Sequence, residues 1–176
     1  PNTFTVGAPS TSVATLEEIL DAAKGKIHLF IELKDETADE QMVDDVYKAV
    51  HERGMEKEVT FISMKYPLLE KTKKDYPEIT TGYLCFISLG KISSLNVDYL
   101  MLEDEMATED IIAEAHSVGK KVFIWTINTD DGMRKRLTDD SDGVITDNVD
   151  LARIVYNLLA KESKLSRVAN FILYVM

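Results

Sequence analysis

Short apolar runs alternate with helix-forming segments along most of this 176-residue chain. The runs are rich in Val, Ile, Leu and aromatic residues, and each has the length and composition of a buried strand. They cover residues 27–33, 59–63, 81–87, 97–102, 121–127 and 143–146. A helical pattern, or in one case a polar loop, lies between successive runs. A period of roughly 20–25 residues predicts repeated βα units, a parallel sheet and right-handed crossovers.

This alternation is typical of a (β/α) barrel or of an open doubly wound sheet. Strands that read as buried on all sides favour the barrel. A complete barrel has eight strands, and the sequence yields six. We therefore predict an α/β fold that is TIM-barrel-like and incomplete. Residues 14–160 form the partial barrel, residues 1–13 have no assigned role, and residues 161–176 are predicted to be a basic and apolar helical tail.

Composition restricts the classes of partner. The net charge is −11, with 20 Lys and Arg against 31 Asp and Glu. Such a chain lacks the basic face that binding to nucleic acid requires. Cys85 is the sole cysteine and lies in an apolar run, so we interpret it as a buried, inert thiol. Neither a signal peptide nor a membrane-spanning stretch is visible, and a cytoplasmic or membrane-associated location is expected.

Polar side chains gather where the predicted strands end. They are Glu32, Lys34, Ser63, Glu103, Asp104, Asn128, Asp147 and Asn148, with Trp125 just before its strand ends. In a barrel the carboxyl ends of the strands share one face, which carries the active site. Carboxylates there suit Mg²⁺ or Ca²⁺, and a lysine suits developing negative charge on a substrate.

Each of these residues also has a purely structural interpretation. Glu32 and Lys34 lie two apart on one strand, so they face the same side and can form a simple salt bridge. Trp125 can belong to the core, and Ser63 can fix a turn. One of Asp147 and Asn148 can cap the last helix. No histidine has a recognisable catalytic spacing: one lies in a strand, and His51 and His116 come late in helices.

Several motifs, in order, resemble the glycerophosphodiester phosphodiesterase family. The matching pieces are Ala14–Leu20, Ile31-Glu32-Leu33-Lys34, Thr81–Leu84, Ala115–Val122, Trp125-Thr126-Ile127-Asn128 and Asp142–Asn148. Their order and spacing extend over residues 14–152. The resemblance implies a (β/α)₈ barrel, a divalent metal, and two histidines acting as acid and base on a phosphodiester. It also implies release of glycerol 3-phosphate and an alcohol from deacylated phospholipids.

The resemblance assigns roles to three residues of this chain. Glu32 corresponds to a metal-ligand glutamate, Lys34 to a lysine that approaches the phosphate, and Trp125 to an aromatic residue on the glycerol side of the substrate. The implied cofactor is Mg²⁺ or Ca²⁺. A cation polarises a phosphoryl oxygen, and Lys34 would add local positive charge.

The chain departs from the family pattern at the first strands, which carry catalytic and metal-ligand residues in the family. The family opens with a His-Arg-Gly strand and a Glu-x-Asp strand, which supply a histidine and two metal ligands, and a second histidine follows. Residues 1–13 contain no His, Arg or Glu. We therefore expect the carboxyl-terminal part of a longer enzyme, inactive by itself, with the metal bound only in the complete enzyme. The alternative is a non-catalytic binding or interaction module that retains the barrel framework.

Two surfaces of such a partial barrel predict contacts. Open strand edges predict a homodimer through the open side, or coverage of the gap by the amino-terminal segment. Lys161, Lys164 and Arg167 form a basic patch before an uncharged end. This tail is predicted to contact a membrane surface, or to pack against the barrel or a partner subunit.

Overall fold

The computed structural model describes residues 13–85 and 91–161 and the backbone of residues 172–174. It contains six predicted strands and one further strand. They are β1 (Leu29–Glu32), β2 (Val59–Ser63), β3 (Thr80–Cys85), β4 (Tyr99–Glu103), β5 (Lys121–Trp125), β6 (Gly143–Ile145) and β7 (Ile172–Tyr174). The α-helices are α1 (Leu16–Ala23), α2 (Glu40–His51), α3 (Tyr66–Asp75), α4 (Glu109–Ser117), α5 (Asp130–Thr138) and α6 (Val149–Lys161). Short 3₁₀ helices cover Ile92–Ser94 and Asp104–Met106.

All strands form one parallel sheet in the order β1-β2-β3-β4-β5-β6-β7. Each strand therefore lies beside its predecessor, without the reversal of strand order that defines a doubly wound sheet. The sheet curls into a half-barrel with the helices outside. This confirms the barrel interpretation and the six predicted strands.

The helix boundaries follow from local capping chemistry. Thr15 and Glu18 form the predicted capping box, with each side chain accepting from the other residue's backbone N–H. Thr108 caps α4 by accepting a hydrogen bond from the Ile111 N–H. Gly54 follows α2 with a φ of 62°, a left-handed conformation that favours glycine. These caps explain why elements predicted from sequence appear close to their expected positions.

The two faces of the sheet have different cores. The outer face packs against the helices in a cluster that includes Val144 on β6 and Val155 on α6. The inner face carries a separate cluster made only of strand residues. Its fully buried members are Ile62, Leu84, Met101, Phe123 and Ile145, with Phe30, Met64, Tyr99 and Trp125 packed against them. Side chains therefore fill the interior of the half-barrel, as in complete barrels.

Carboxylates before the strands join neighbouring strands at their amino ends. Asp98, just before β4, accepts a 2.7 Å hydrogen bond from the backbone N–H of Thr81 on β3 and pairs with Lys73. Asp142, just before β6, accepts a 2.8 Å hydrogen bond from the Val122 N–H on β5 and contacts His116 at 2.8 Å. Such charge-assisted bonds to backbone groups stabilise the sheet. The amino ends therefore have a structural role.

The carboxyl-terminal tail differs from its prediction as a helix. Helix α6 ends at Lys161, residues 162–171 lie outside the described part, and Ile172–Tyr174 form β7. β7 pairs in parallel with β6, with Val144 beside Leu173. A tail that formed a separate helix would leave N–H and C=O groups unpaired along the outer edge of β6. The backbone pairing of β7 satisfies these groups.

The predicted amino-terminal segment, residues 1–13, lies outside the described residues except for Val13. Within the described helices, we find none with both the length and the apolar character to cross a membrane.

Candidate functional site

Glu32 and Lys34 lie at the carboxyl end of β1 on the inner side of the sheet. The Lys34 ammonium contacts a Glu32 carboxylate oxygen at 3.1 Å. The Glu32 side chain is 20% exposed and that of Lys34 is 65% exposed. The two residues therefore form the ion pair that their spacing predicts. Lys34 remains open to solvent on its far side, where it can approach a second anion.

The curl of the sheet brings β1 opposite β5. Phe30 on β1 and Phe123 on β5 make an edge-to-face contact, with ring centroids 5.6 Å apart. Glu32 and Trp125 are the next residues on the same face of these two strands, toward the carboxyl ends. The structure thus places Glu32, Lys34 and Trp125 above one aromatic floor. Sequence spacing alone did not determine that they share this face.

Trp125 belongs both to the core and to the rim of this site. Its indole N–H donates a 3.0 Å hydrogen bond to the backbone oxygen of Met101 on β4. The ring is half-buried and packs against the inner cluster. The hydrogen bond fixes the ring orientation, so the remaining exposed surface offers a rigid apolar wall. The Trp125–Thr126 peptide bond is cis.

The loop that carries Lys34 is held by residues of the next βα unit. The buried Ser63 hydroxyl donates to the Leu33 carbonyl at 2.7 Å and accepts from the Lys65 N–H at 3.0 Å. The Lys65 ammonium donates to the Ala38 carbonyl at 3.0 Å and reaches that of Asp35 at 3.4 Å. Ser63 therefore fixes a turn, as its structural interpretation predicted. Lys65 was missed, because a lysine after a strand has no distinctive sequence signal.

The acidic pair after β4 divides into two different roles. Glu103 is half-buried and lies beside Trp125 in the register of β4 and β5. Asp104 instead binds Arg136, whose side chain is only 4% exposed. Arg136 also donates to the Ala107 carbonyl and to Asp139. Burial works against the charge of Arg136, but the hydrogen bonds to Asp139 and Asp104 outweigh it and raise the pKa above its usual value. Asp104 is therefore part of a structural clamp.

The polar residues after β5 and β6 bind one another. The Asn128 amide donates to the Asp147 carboxylate at 2.7 Å, and its oxygen accepts from the Asp147 N–H at 2.9 Å. The Asn148 side chain accepts from the Leu151 N–H at 3.2 Å in the first turn of α6. The expected capping role thus belongs to Asn148. Asp147 is exposed at the same rim as Glu103.

The histidines lie away from this rim. His51 and His116 occur in the last turns of α2 and α4 and contact Glu56 and Asp142. His28 precedes β1, and its Nε2 lies 2.8 Å from the Thr60 hydroxyl at the amino end of the sheet. Burial lowers the pKa of His28, an effect that Glu58 partly opposes. These positions agree with structural roles for all three.

We tested whether the residues present fit a divalent metal. A Mg²⁺ or Ca²⁺ site takes several oxygen ligands. Among residues 13–85 and 91–161, no three His, Cys, Asp or Glu side chains come close enough to hold an ion. Where the family resemblance implies a metal ligand, the structure has the Glu32 carboxylate, and the group beside it is the Lys34 ammonium. The described residues therefore do not form a metal site by themselves.

Comparison with known proteins identifies the fold and the family. Residues 2–151 match the model of the glycerophosphoryl diester phosphodiesterase family. A solved structure assigned as such an enzyme, from Silicibacter pomeroyi, superposes with a TM-score of 0.73 at 26% identity over 81% of this chain and 56% of its own.

Two more distant structures show the same fold. One is a glycerophosphodiester phosphodiesterase from Agrobacterium tumefaciens, with a TM-score of 0.67 and 19% identity over 81% of this chain and 61% of its own. The other is an Oleispira antarctica phosphodiesterase in complex with the product sn-glycerol-3-phosphate. It has a TM-score of 0.66 and 20% identity over 81% of this chain and 60% of its own.

The extent of these matches defines what the chain contains. It spans between 56% and 61% of the length of these three structures. A search of curated proteins finds no match. The family model nevertheless covers most of the chain, and the observed strands and their order agree with it. The chain therefore belongs to the glycerophosphoryl diester phosphodiesterase family.

Proposed function

We propose that this chain is the carboxyl-terminal part of a domain that hydrolyses glycerophosphodiesters to glycerol 3-phosphate and an alcohol. The observation that carries the proposal is the position of Glu32, Lys34 and Trp125. They lie above the Phe30–Phe123 contact, at the carboxyl ends of strands in the family's barrel. This is the end at which (β/α) barrels carry their active sites.

We propose roles for the three residues that agree with their surroundings. The exposed Lys34 ammonium can form a charge-assisted hydrogen bond to a phosphate oxygen and stabilise charge that develops there. The half-buried Trp125 ring offers an apolar face to the glycerol carbons. Glu32 holds Lys34 at 3.1 Å and is the one proposed metal ligand on this chain. The remaining ligands and the acid and base would come from outside the described residues.

The divalent metal, Mg²⁺ or Ca²⁺, is proposed to bind only in the complete domain. The described residues lack a set of three ligands. The present residues contribute phosphate contact and substrate positioning. We accordingly propose that this chain alone does not turn over substrate.

The Oleispira antarctica structure supports the substrate class, because that phosphodiesterase is described with bound sn-glycerol-3-phosphate. Its identity to this chain is 20%, so its fold is the shared property. The corresponding ligand for a direct test is glycerol 3-phosphate itself. A phosphate monoester carries the charge that Lys34 would recognise.

Two measurements test the proposal. Turnover of glycerophosphocholine by the purified chain with Mg²⁺ or Ca²⁺ is expected to equal the blank, and clear metal-dependent turnover would contradict inactivity. Titration with glycerol 3-phosphate, followed by amide and indole NMR shifts, is expected to move the signals of Lys34 and Trp125. Lys34→Gln should abolish these shifts. Lys48→Gln is the matched control, since Lys48 is an exposed lysine on α2, outside the barrel.

The second candidate function is a non-catalytic binding or interaction module. The observation in its favour is that Glu32 and Lys34 already satisfy each other at 3.1 Å. In that case glycerol 3-phosphate would shift neither signal, and Lys34→Gln would behave like Lys48→Gln. The titration therefore separates the two functions.

Contacts with other surfaces are further parts of the proposal. We propose a cytoplasmic or membrane-associated chain whose basic tail, with Lys161, Lys164 and Arg167, contacts anionic lipid. Flotation with vesicles that contain phosphatidylserine, compared with neutral vesicles, tests the contact.

We also propose a homodimer through the β1 edge, where the residues of Leu29–Glu32 are half-buried while those of β2 are buried. Sedimentation at low concentration tests the dimer.

A further inference from the structure

The edge of β6 that faces away from β5 is occupied by the chain's own tail. β7 pairs with it in parallel, placing Ile172, Leu173 and Tyr174 beside Gly143, Val144 and Ile145. Residues 146–171, which include α6, connect the two strands, so β6, α6 and β7 form one more βα crossover. The tail therefore continues the alternation of the barrel.

The position of β7 is the one that closes a complete barrel. In a closed eight-stranded sheet each strand has two neighbours, and the last strand pairs with the first. By the order of its motifs, β6 is the last strand of the family's barrel. The strand beside it in a complete domain would therefore be an amino-terminal one. Here that place is held by residues from the opposite end of the chain.

We infer that the β6 edge is a strand-binding surface that accepts one parallel strand, and that β7 and an amino-terminal barrel strand are alternative occupants of it. Two strands cannot use the same N–H and C=O groups of β6. Entry of a separate strand therefore requires displacement of β7. This inference rests on the family fold and on backbone pairing, and it is independent of the proposed catalytic function.

The direction of the backbone groups identifies the residues that matter. The Lys121 N–H donates to the Asp98 carbonyl, so Lys121 faces β4 and Ile124, three residues on, faces β6. Because Ile124 is the register partner of Val144, the N–H and C=O groups of Val144 point away from β5, to β7. The Ile145 carbonyl instead accepts from the Ile127 N–H on the β5 side. In β7, Ile172 and Tyr174 therefore direct their N–H groups at β6, and Leu173, the register partner of Val144, directs its N–H away.

Amide hydrogen exchange on the full chain tests the occupancy of this edge. We expect slow exchange at the Val144 amide in the unaltered chain and exchange at least about tenfold faster in Tyr174→Pro, which removes the donor to the Val144 carbonyl. Leu173→Pro is the matched control, because proline is tolerated where an edge strand's N–H faces outward. The Ile145 amide, which faces β5, should stay protected in both variants, which shows that the sheet remains folded.

Addition of a separate strand tests whether the surface accepts one. A synthetic peptide of residues 163–176, in excess over Tyr174→Pro protein, is expected to restore slow exchange at Val144. The same peptide with Tyr174→Pro should not. Equal exchange of the Val144 amide in the unaltered chain and in Tyr174→Pro would overturn occupancy by β7. Failure of the unaltered peptide to restore protection would overturn the exchange of strands.

Discussion

Replacing Arg136 tests whether the buried clamp stabilises the half-barrel. Its guanidinium donates to the Asp104 carboxylate and carbonyl, each at 2.6 Å, and to the Ala107 carbonyl and the Asp139 carboxylate, each at 2.9 Å. These contacts join α5 to the segment that follows β4. Arg136→Met keeps an unbranched apolar stem and removes every donor. The partners are then left without their cation.

The size of the effect follows from how buried each partner is. Loss of a donor to the buried Ala107 carbonyl costs about 1–3 kcal/mol. Breaking a fully buried ion pair by removing one partner costs about 3–5 kcal/mol, but exposed pairs contribute about 0–1 kcal/mol. The Asp104 side chain is 42% exposed, so its share must be reduced. We expect a net loss of about 2–4 kcal/mol in the free energy of unfolding.

Urea unfolding followed by circular dichroism measures this loss, at two protein concentrations so that any dimer is detected. A change of about 2–4 kcal/mol corresponds to a fall of roughly 5–15 °C in Tm for a chain of this size. Arg153→Met is the matched control, because the pair of Arg153 with Asp150 is exposed to solvent. If Arg136→Met and Arg153→Met had equal unfolding free energies, the clamp would not stabilise the fold.

Three other properties of the fold can be measured. A Cβ at Gly82 would lie 3.0 Å from the Ile62 Cγ2 in the packed interior, so Gly82→Ala should lower stability by about 1–3 kcal/mol in urea unfolding. Burial raises the pKa of Cys85 to about 12, so Ellman's reagent should react with it only after unfolding; reaction in the folded chain at pH 8 would contradict this. Burial lowers the pKa of His28, with Glu58 opposing, so the unfolded chain binds more protons below a pH of about 6.5. The stability due to neutral His28 is therefore present above that pH and lost as the pH falls, and His28→Gln should lose less stability than the unaltered chain between pH 7 and 5.5.

The sequence predicted the sheet because its physical signals are local. The strand Val59–Ser63 and the capping box of Thr15 and Glu18 depend on neighbouring residues alone, and both appear as expected. The choice between barrel and doubly wound sheet depended on strand order, which burial suggested and the structure confirms. Strand β7 could not be predicted in this way. Its position depends on the free edge of β6, distant along the chain.

The sequence named the residues of the candidate site, but it could not predict their arrangement in space. Spacing showed that Glu32 and Lys34 share a face, and the observed 3.1 Å contact agrees. The common face of Trp125 and these residues depends on the curl that brings Phe30 to Phe123, which is a property of the whole sheet. Arg136 was missed because a charged residue in a helix is usually solvated. Its spacing three residues after Met133, on the buried side of α5, was the available signal.

The hydrogen bonds of the charged residues differ between the amino ends of the strands, which have a structural role, and the carboxyl ends, which carry the candidate site. At the amino ends, Asp98 and Asp142 accept backbone N–H groups of neighbouring strands, so removing either would leave a strand N–H without its acceptor. At the carboxyl end, Glu32 pairs with Lys34, whose side chain is largely exposed. Lys34 can therefore turn toward a ligand without loss of backbone hydrogen bonds, at the small energetic cost of an exposed lysine. Because the inner face beneath it is already filled by aromatic side chains, a ligand there would bind above the barrel core, beside Lys34 and Trp125.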